Sequence, residues 1–214
     1  MDKKALIKEI EKHKIIAILR GLSREDALKA VDAMHKGGIR FVEVTFDQSG
    51  KISDTQTASI ITELCNAFPD MYIGAGTVMS AKQVITAKKA GAKYIISPDV
   101  NEAVIKKTVK CGLVSLPGAL TPTEAATAHR YGADFVKLFP NSEMKPSYLK
   151  AIAAPLSHIK FLAVGGVTAD NVADFIKNGA KGVGASSLAN KELIKNGDFD
   201  KITELSEKFV NALK

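Results

Sequence analysis

The chain has 214 residues, is 46% hydrophobic and 25% charged, and carries a formal charge of +7. That length can bury the core of one α/β barrel, and the composition is that of a globular protein rather than a disordered or disulfide-framed one. No apolar stretch reaches transmembrane length, residues 1–14 lack a signal-peptide core, and the two cysteines and four histidines show no metal-ligand spacing. Membrane, secretory and zinc-site classes are therefore set aside, and a cytoplasmic location is expected. The basic excess is spread over helix-like segments (Lys3, Lys4, Lys8, Lys12, Lys14; Lys106, Lys107, Lys110) without interleaved aromatics, which argues against a nucleic-acid partner.

An amphipathic N-terminal segment is followed by eight short β-rich runs at 15–19, 40–45, 72–76, 94–97, 113–116, 135–139, 161–164 and 182–184. Helical periodicity fills the intervals, as in Ala27, Val31 and Met34. Several of these segments open on an N-cap residue (Ser23, Ser80, Asn101, Thr121, Thr168), and many close on glycine (Gly37-Gly38, Gly91, Gly112, Gly132, Gly179). A last helix is expected over 198–213. Eight βα units with no linker predict one domain over 1–214, a (β/α)8 TIM barrel with an N-terminal helix. A doubly wound sheet is the alternative, but Gly74-Ala75-Gly76 lacks the third glycine of a dinucleotide fingerprint because Met79 stands there.

Two ionisable residues interrupt apolar strands. Lys137 lies in Phe135-Val136-Lys137-Leu138-Phe139, and Glu43 in Phe41-Val42-Glu43-Val44-Thr45-Phe46. A lysine forced into an apolar site loses its charge readily and becomes a nucleophilic amine, so a Schiff base is one reading; a snorkelling lysine or a structural ion pair is the other. Glycines at the last two strand ends, Gly165-Gly166 and Gly184 before Ser186-Ser187, suit either a phosphate cradle or tight βα turns. Barrel strand ends are where functional groups gather, and Arg20, Thr45, Thr77, Pro98 and Phe139 join the list there.

Taken together, Ile-Ile-Ala-Ile-Leu-Arg-Gly (15–21), Val-Glu-Val-Thr (42–45), Gly-Ala-Gly-Thr-Val (74–78), Ile-Ser-Pro (96–98), Pro-Gly-Ala-Leu-Thr-Pro-Thr-Glu (117–124), Val-Lys-Leu-Phe-Pro (136–140) and Gly-Gly-Val (165–167) are highly specific in order and spacing. The chain resembles the class I 2-keto-3-deoxy-6-phosphogluconate (KDPG) aldolases, a family that includes 4-hydroxy-2-oxoglutarate and 2-keto-3-deoxy-6-phosphogalactonate aldolases. The resemblance implies Lys137 as the Schiff-base lysine and Glu43 as general acid/base. It implies Arg20 and Thr77 as carboxylate ligands, Pro98 and Phe139 as pocket walls, and Gly165, Gly166 and Ser186 as the phosphate site.

The resemblance further implies a homotrimer that needs no metal or cofactor and acts on a small keto acid or phosphosugar acid. The expected reaction is cleavage of KDPG to pyruvate and glyceraldehyde 3-phosphate, with 4-hydroxy-2-oxoglutarate cleavage to pyruvate and glyoxylate as a further activity. The alternatives are the phosphogalactonate epimer as substrate, a metal-dependent barrel enzyme, or a non-catalytic sugar-phosphate-binding barrel. Two positions depart from the family pattern: Asp47 stands where many members carry a carboxylate-gripping arginine, and Ala163-Val164 stands where KDPG aldolases have Pro-Thr. Asp47 is expected to repel an anion, leaving the carboxylate to Arg20.

Overall fold

In the computed structural model, which describes residues 2–142 and 144–214, strands and helices alternate along the chain. Met1, the first residue of the expected amphipathic segment, lies outside the described residues. The strands are β1 (Ile15–Leu19), β2 (Phe41–Thr45), β3 (Tyr72–Gly76), β4 (Tyr94–Ile96), β5 (Val114–Leu116), β6 (Gly118–Ala119), β7 (Val136–Leu138), β8 (Phe161–Val164) and β9 (Gly182–Ala185). They pair in parallel in the order β5-β4-β3-β2-β1-β9-β8-β7-β6.

Nine segments stand where eight runs were expected, because the fifth is cut at Pro117. Proline has no N–H to give to a ladder, so pairing to β4 stops at Leu116 and pairing to β7 begins at Gly118. The ring still closes across the cut. Phe135, Lys137 and Phe139 donate their backbone N–H groups to the carbonyls of Ser115, Pro117 and Ala119 at 3.2, 2.9 and 3.0 Å. The result is a (β/α)8 TIM-type barrel, and the open doubly wound alternative falls.

Outside the ring run α2 (Arg24–Lys36), α3 (Asp54–Ala67), α4 (Ala81–Lys89), α5 (Glu102–Lys110), α6 (Pro122–Arg130), α7 (Pro146–Ala153), α8 (Val172–Lys177), α9 (Lys191–Asn196) and α10 (Phe199–Asn211), after the N-terminal α1 (Lys3–His13). Ser23, Ser80, Asn101 and Thr121 cap their helices as expected, each side-chain oxygen accepting a backbone N–H three residues on. Such a cap is worth about 1 kcal/mol. The expected cap at Thr168 is corrected: α8 begins only at Val172, and the Asn171 side chain reaches back to accept the Thr168 N–H at 2.9 Å. A short polar side chain can bond backward as well as forward along the chain, so the cap residue was misassigned. No helix among the described residues is long and apolar enough to cross a membrane.

Strand side chains alternate between two cores. Val42, Val44, Val136, Leu138, Phe161 and Ala163 face outward into the layer beneath the helices. Ile16, Phe41, Tyr94, Val114, Phe135 and Leu162 fill the barrel interior, joined by Leu6 and Ile10 of α1. The N-terminal helix is thus a plug for the interior. The same parity turns Glu43 and Lys137 inward, above that apolar floor.

Candidate active site

Glu43 lies on β2 and Lys137 on β7, and both line one enclosed cavity in the barrel with Ile18, Leu116 and Val164. They are 2% and 6% exposed. No hydrogen bond or ion pair joins them; each senses the other only coulombically. The structural ion pair that the sequence allowed is therefore not formed. Burial is the largest influence on both groups and opposes charge on both. It raises the Glu43 carboxyl above its ordinary value against the attraction of Lys137 and Arg20. It lowers the Lys137 ammonium against the attraction of Glu43, and the Arg20 cation pushes in the same direction as burial.

The Lys137 Nζ sits 4.2 Å from the centroid of the Phe139 ring, two residues along the strand, on the aromatic face. Such a wall is compatible with either protonation state of the amine and fixes its direction. Glu43 packs against β3. Gly76 provides the space, since a Cβ there would lie 2.7 Å from Glu43 Oε1. Gly74, one inward step earlier, gives way to the Tyr94 ring in the same manner.

Two further cavities border this centre. The first, of about 560 Å³, is lined by Arg20, Gly166, Thr168, Ser186, Ser187 and Lys191, among others. The second, of about 260 Å³, contains Arg20, Thr45, Asp47, Gln48 and Thr77. Ile18 is common to the interior and the first cavity, and Arg20 to the first and second. Of the residues singled out in the sequence, Lys137, Glu43, Arg20, Thr77, Gly166 and Ser186 are thus gathered along one connected set of walls.

Gly165 and Pro98 sit differently. Gly165, at φ 109°, turns its α-carbon toward the backbone of Asn141, where a Cβ would come within 3.0 Å of the amide nitrogen. Its position behind Gly166 shapes the turn. Pro98 is half-buried with its carbonyl against Gly118, 2.3 Å from where a Cβ would stand. Among the described residues, no group of three or more His, Cys, Asp or Glu is placed to hold a metal.

Three residues that the sequence did not single out for these roles matter here. Asp47, expected to repel an anion, spends its carboxylate on its own loop, accepting from the Ser49 N–H, the Ser49 hydroxyl and the Ile52 N–H at 3.0, 2.8 and 2.9 Å. Those donors lower its carboxyl to about 2. Gln48 donates its amide to the Thr77 carbonyl at 2.9 Å. Asn141 is 1% exposed, and its side-chain amide finds no partner among the described residues. No spacing rule marks Gln48 or Asn141; their only signal is polarity at strand-end loops.

A family model described as KDPG and KHG aldolase matches residues 6–205. The 2-dehydro-3-deoxy-6-phosphogalactonate aldolase of Escherichia coli K12 is 38% identical over 175 residues, covering 81% of this chain and 82% of that protein. The KHG/KDPG aldolase of the same organism is 30% identical over 194 residues, covering 89% and 87%. Among solved structures, KDPG aldolase from Legionella pneumophila, with pyruvate captured as a covalent carbinolamine, superposes with a TM-score of 0.80 at 29% identity over 91% of this chain and 93% of that one.

Proposed function

The chain belongs to the KDPG and KHG aldolase family and is a class I aldolase, and we propose that Lys137 and Glu43 carry its reaction, the cleavage of a 2-keto-3-deoxy-6-phospho sugar acid to pyruvate and glyceraldehyde 3-phosphate. The observation that carries the assignment is a buried lysine and a buried glutamate in one barrel cavity, unpaired and both biased toward neutrality. A neutral amine is what attack on a ketone requires.

Lys137 adds to the C2 carbonyl to give a carbinolamine, and loss of water leaves a protonated imine. Glu43, through a water, takes the C4 hydroxyl proton as the C3–C4 electron pair moves into the imine. Glyceraldehyde 3-phosphate departs, the enamine is protonated at C3, and hydrolysis releases pyruvate and restores the amine. A carboxyl raised by burial is a stronger base than an exposed one, and general acid/base help of this kind is worth about 10²–10⁴-fold. Arg20 and Thr77 hold the carboxylate and Phe139 and Pro98 wall the pocket, while Gly166 and Ser186 cradle the phosphate on the turn that Gly165 shapes. The reach is supported by the shared walls at Ile18 and Arg20.

KDPG is the first substrate proposed, with 4-hydroxy-2-oxoglutarate as a further one. A specific observation favours the phosphogalactonate epimer as the second reading: Val164, which departs from the family's threonine, lines the reaction cavity and presents methyl groups instead of a hydroxyl. We also propose that residues 1–214 form one cytoplasmic domain that assembles as a homotrimer. A solution mass three times 22.8 kDa and a single unfolding transition would support this.

Borohydride reduction in the presence of pyruvate tests the chemistry. The expected result is a reduced pyruvyl adduct on Lys137, with label and cleavage both lost in Lys137→Met. A folded wild-type protein that takes no label, or takes it at another lysine, refutes the assignment. Comparison of kcat/KM for the two epimers and 4-hydroxy-2-oxoglutarate then ranks the substrates.

A further inference from the structure

Thr77 holds a backbone conformation that a β-branched residue avoids, with φ at 51°. Only one other non-glycine residue, Lys14, has a positive φ among the described residues. Such a conformation is strained and persists only where its surroundings impose it. On either side of Thr77 the backbone is tied to neighbouring strands. The Gly76 carbonyl accepts from the Phe46 N–H at 2.9 Å, and the Val78 N–H donates to the Ile96 carbonyl at 3.2 Å. The Thr77 carbonyl accepts from the Gln48 side-chain amide at 2.9 Å.

Gln48 is itself mounted on a stapled loop. Asp47 beside it closes that loop through Ser49 and Ile52. Gln48, Thr77 and Arg20 line one cavity of about 260 Å³. We propose that Gln48 is a positioning residue for the keto-acid carboxylate: by holding the Thr77 carbonyl it fixes the Thr77 conformation that receives the carboxylate, with the Asp47 loop as its support. The inference rests on the assignment of Thr77 as a carboxylate ligand and adds to it the residue that sets Thr77 in place. It also gives Asp47 a task in a position where many relatives carry a cation: the ligand is secured indirectly, through a loop, instead of by a charge.

The experiment compares wild type with Gln48→Leu, which cannot donate, and Gln48→Glu, an isostere that only accepts at neutral pH. Each is titrated with pyruvate and with pyruvamide, its uncharged amide, and borohydride labelling of Lys137 is read by mass. Loss of one hydrogen bond should raise the half-saturating pyruvate concentration about 3–10-fold. Labelling by pyruvamide should be unchanged, KM for the cleaved substrate should rise with kcat within about twofold, and a Thr77→Ala background should absorb most of the effect. Equal changes for the two ketones, or none, would overturn the proposal, and Gln48→Glu decides if Gln48→Leu does not fold. Wild-type protein that is never labelled by pyruvate overturns the aldolase assignment and this inference together. A labelled wild type with indifferent Gln48 variants overturns only the latter.

Discussion

Gly76→Ala isolates the placement of Glu43 from its chemistry. The backbone at Gly76 is outside the left-handed region, so alanine fits it without conformational strain, and the whole effect is steric. The new Cβ would lie 2.7 Å from Glu43 Oε1, 2.8 Å from its Cδ and 3.1 Å from Thr45 Cγ2. Restoring ordinary contact at 3.4 Å requires the carboxylate to retreat by about 0.7 Å. Because the closest crowded atoms are the end of the Glu43 side chain and Thr45 Cγ2 need give only a few tenths of an ångström, the stability cost should fall at the low end of overpacking, about 1 kcal/mol. Misplacement of a reacting group by about 1 Å can cost 10²-fold in rate, so a retreat of this size should slow cleavage by tens-fold. Single-turnover cleavage measures that loss. Borohydride trapping of pyruvate, which depends on Lys137, should stay within about threefold of wild type. Cleavage within twofold of wild type, or trapping that collapses in step with cleavage, would refute the placement of Glu43 as the limiting requirement.

Lys137→Met should raise the melting temperature, because it removes a group whose charge the fold opposes. The sign follows from linkage: a lysine lowered in the folded state carries its full cost in stability below the folded-state value, and that cost fades as pH rises through the interval up to the unfolded value. The gain should be largest below the folded-state value and fade as pH rises toward 10.5, and a gain that grows with pH in thermal melts would contradict the direction. The pH at which Lys137 traps pyruvate should move down in Glu43→Gln, which removes an upward pull, and up in Arg20→Gln, which removes a downward one; shifts of the opposite sign in trapping profiles would reject the coupling. For Asp47, lowered to about 2, the loop support is fully present above 3.8 and lost as pH falls through about 2. Its carboxyl ¹³C resonance should titrate near 2, and Asp47→Asn should speed exchange of the Ile52 amide.

Lys137 and Glu43 were legible because a period-two strand makes any inward charge conspicuous against apolar neighbours. The barrel was legible for a related reason, since the strands are short and apolar and several of the helices that follow them open on a capping residue. The break at Pro117 could have been read too, from the N–H that proline lacks. Thr168 misled because several short polar residues lie close together before α8, and sequence alone does not say which way their oxygens turn. The bond between Gln48 and Thr77 was out of reach for a deeper reason. They belong to two strand-end loops 29 residues apart, and no periodicity relates positions that meet only when the ring closes. Asp47 was seen as a charge but not as an acceptor, because its three donors are fixed by the loop geometry it creates.

The strongest argument for chemistry at the centre is that its two ionisable groups are kept apart. Removing a carboxylate or an ammonium from water costs several kcal/mol, and a structural pair recovers part of that cost only by direct contact. Lys137 and Glu43 forgo contact while sharing one cavity, with burial outweighing their mutual attraction at both sites. An apolar pair of similar volume would fold at least as well. An amine on β7 and a carboxyl on β2 that face one cavity without pairing are free to act on a substrate instead of on each other. Gly76 and Gly74 make room from the neighbouring strand, where side chains are withheld so that Glu43 and the Tyr94 ring can occupy the interior. The centre is therefore built by subtraction, at a cost in stability that Lys137→Met should reveal.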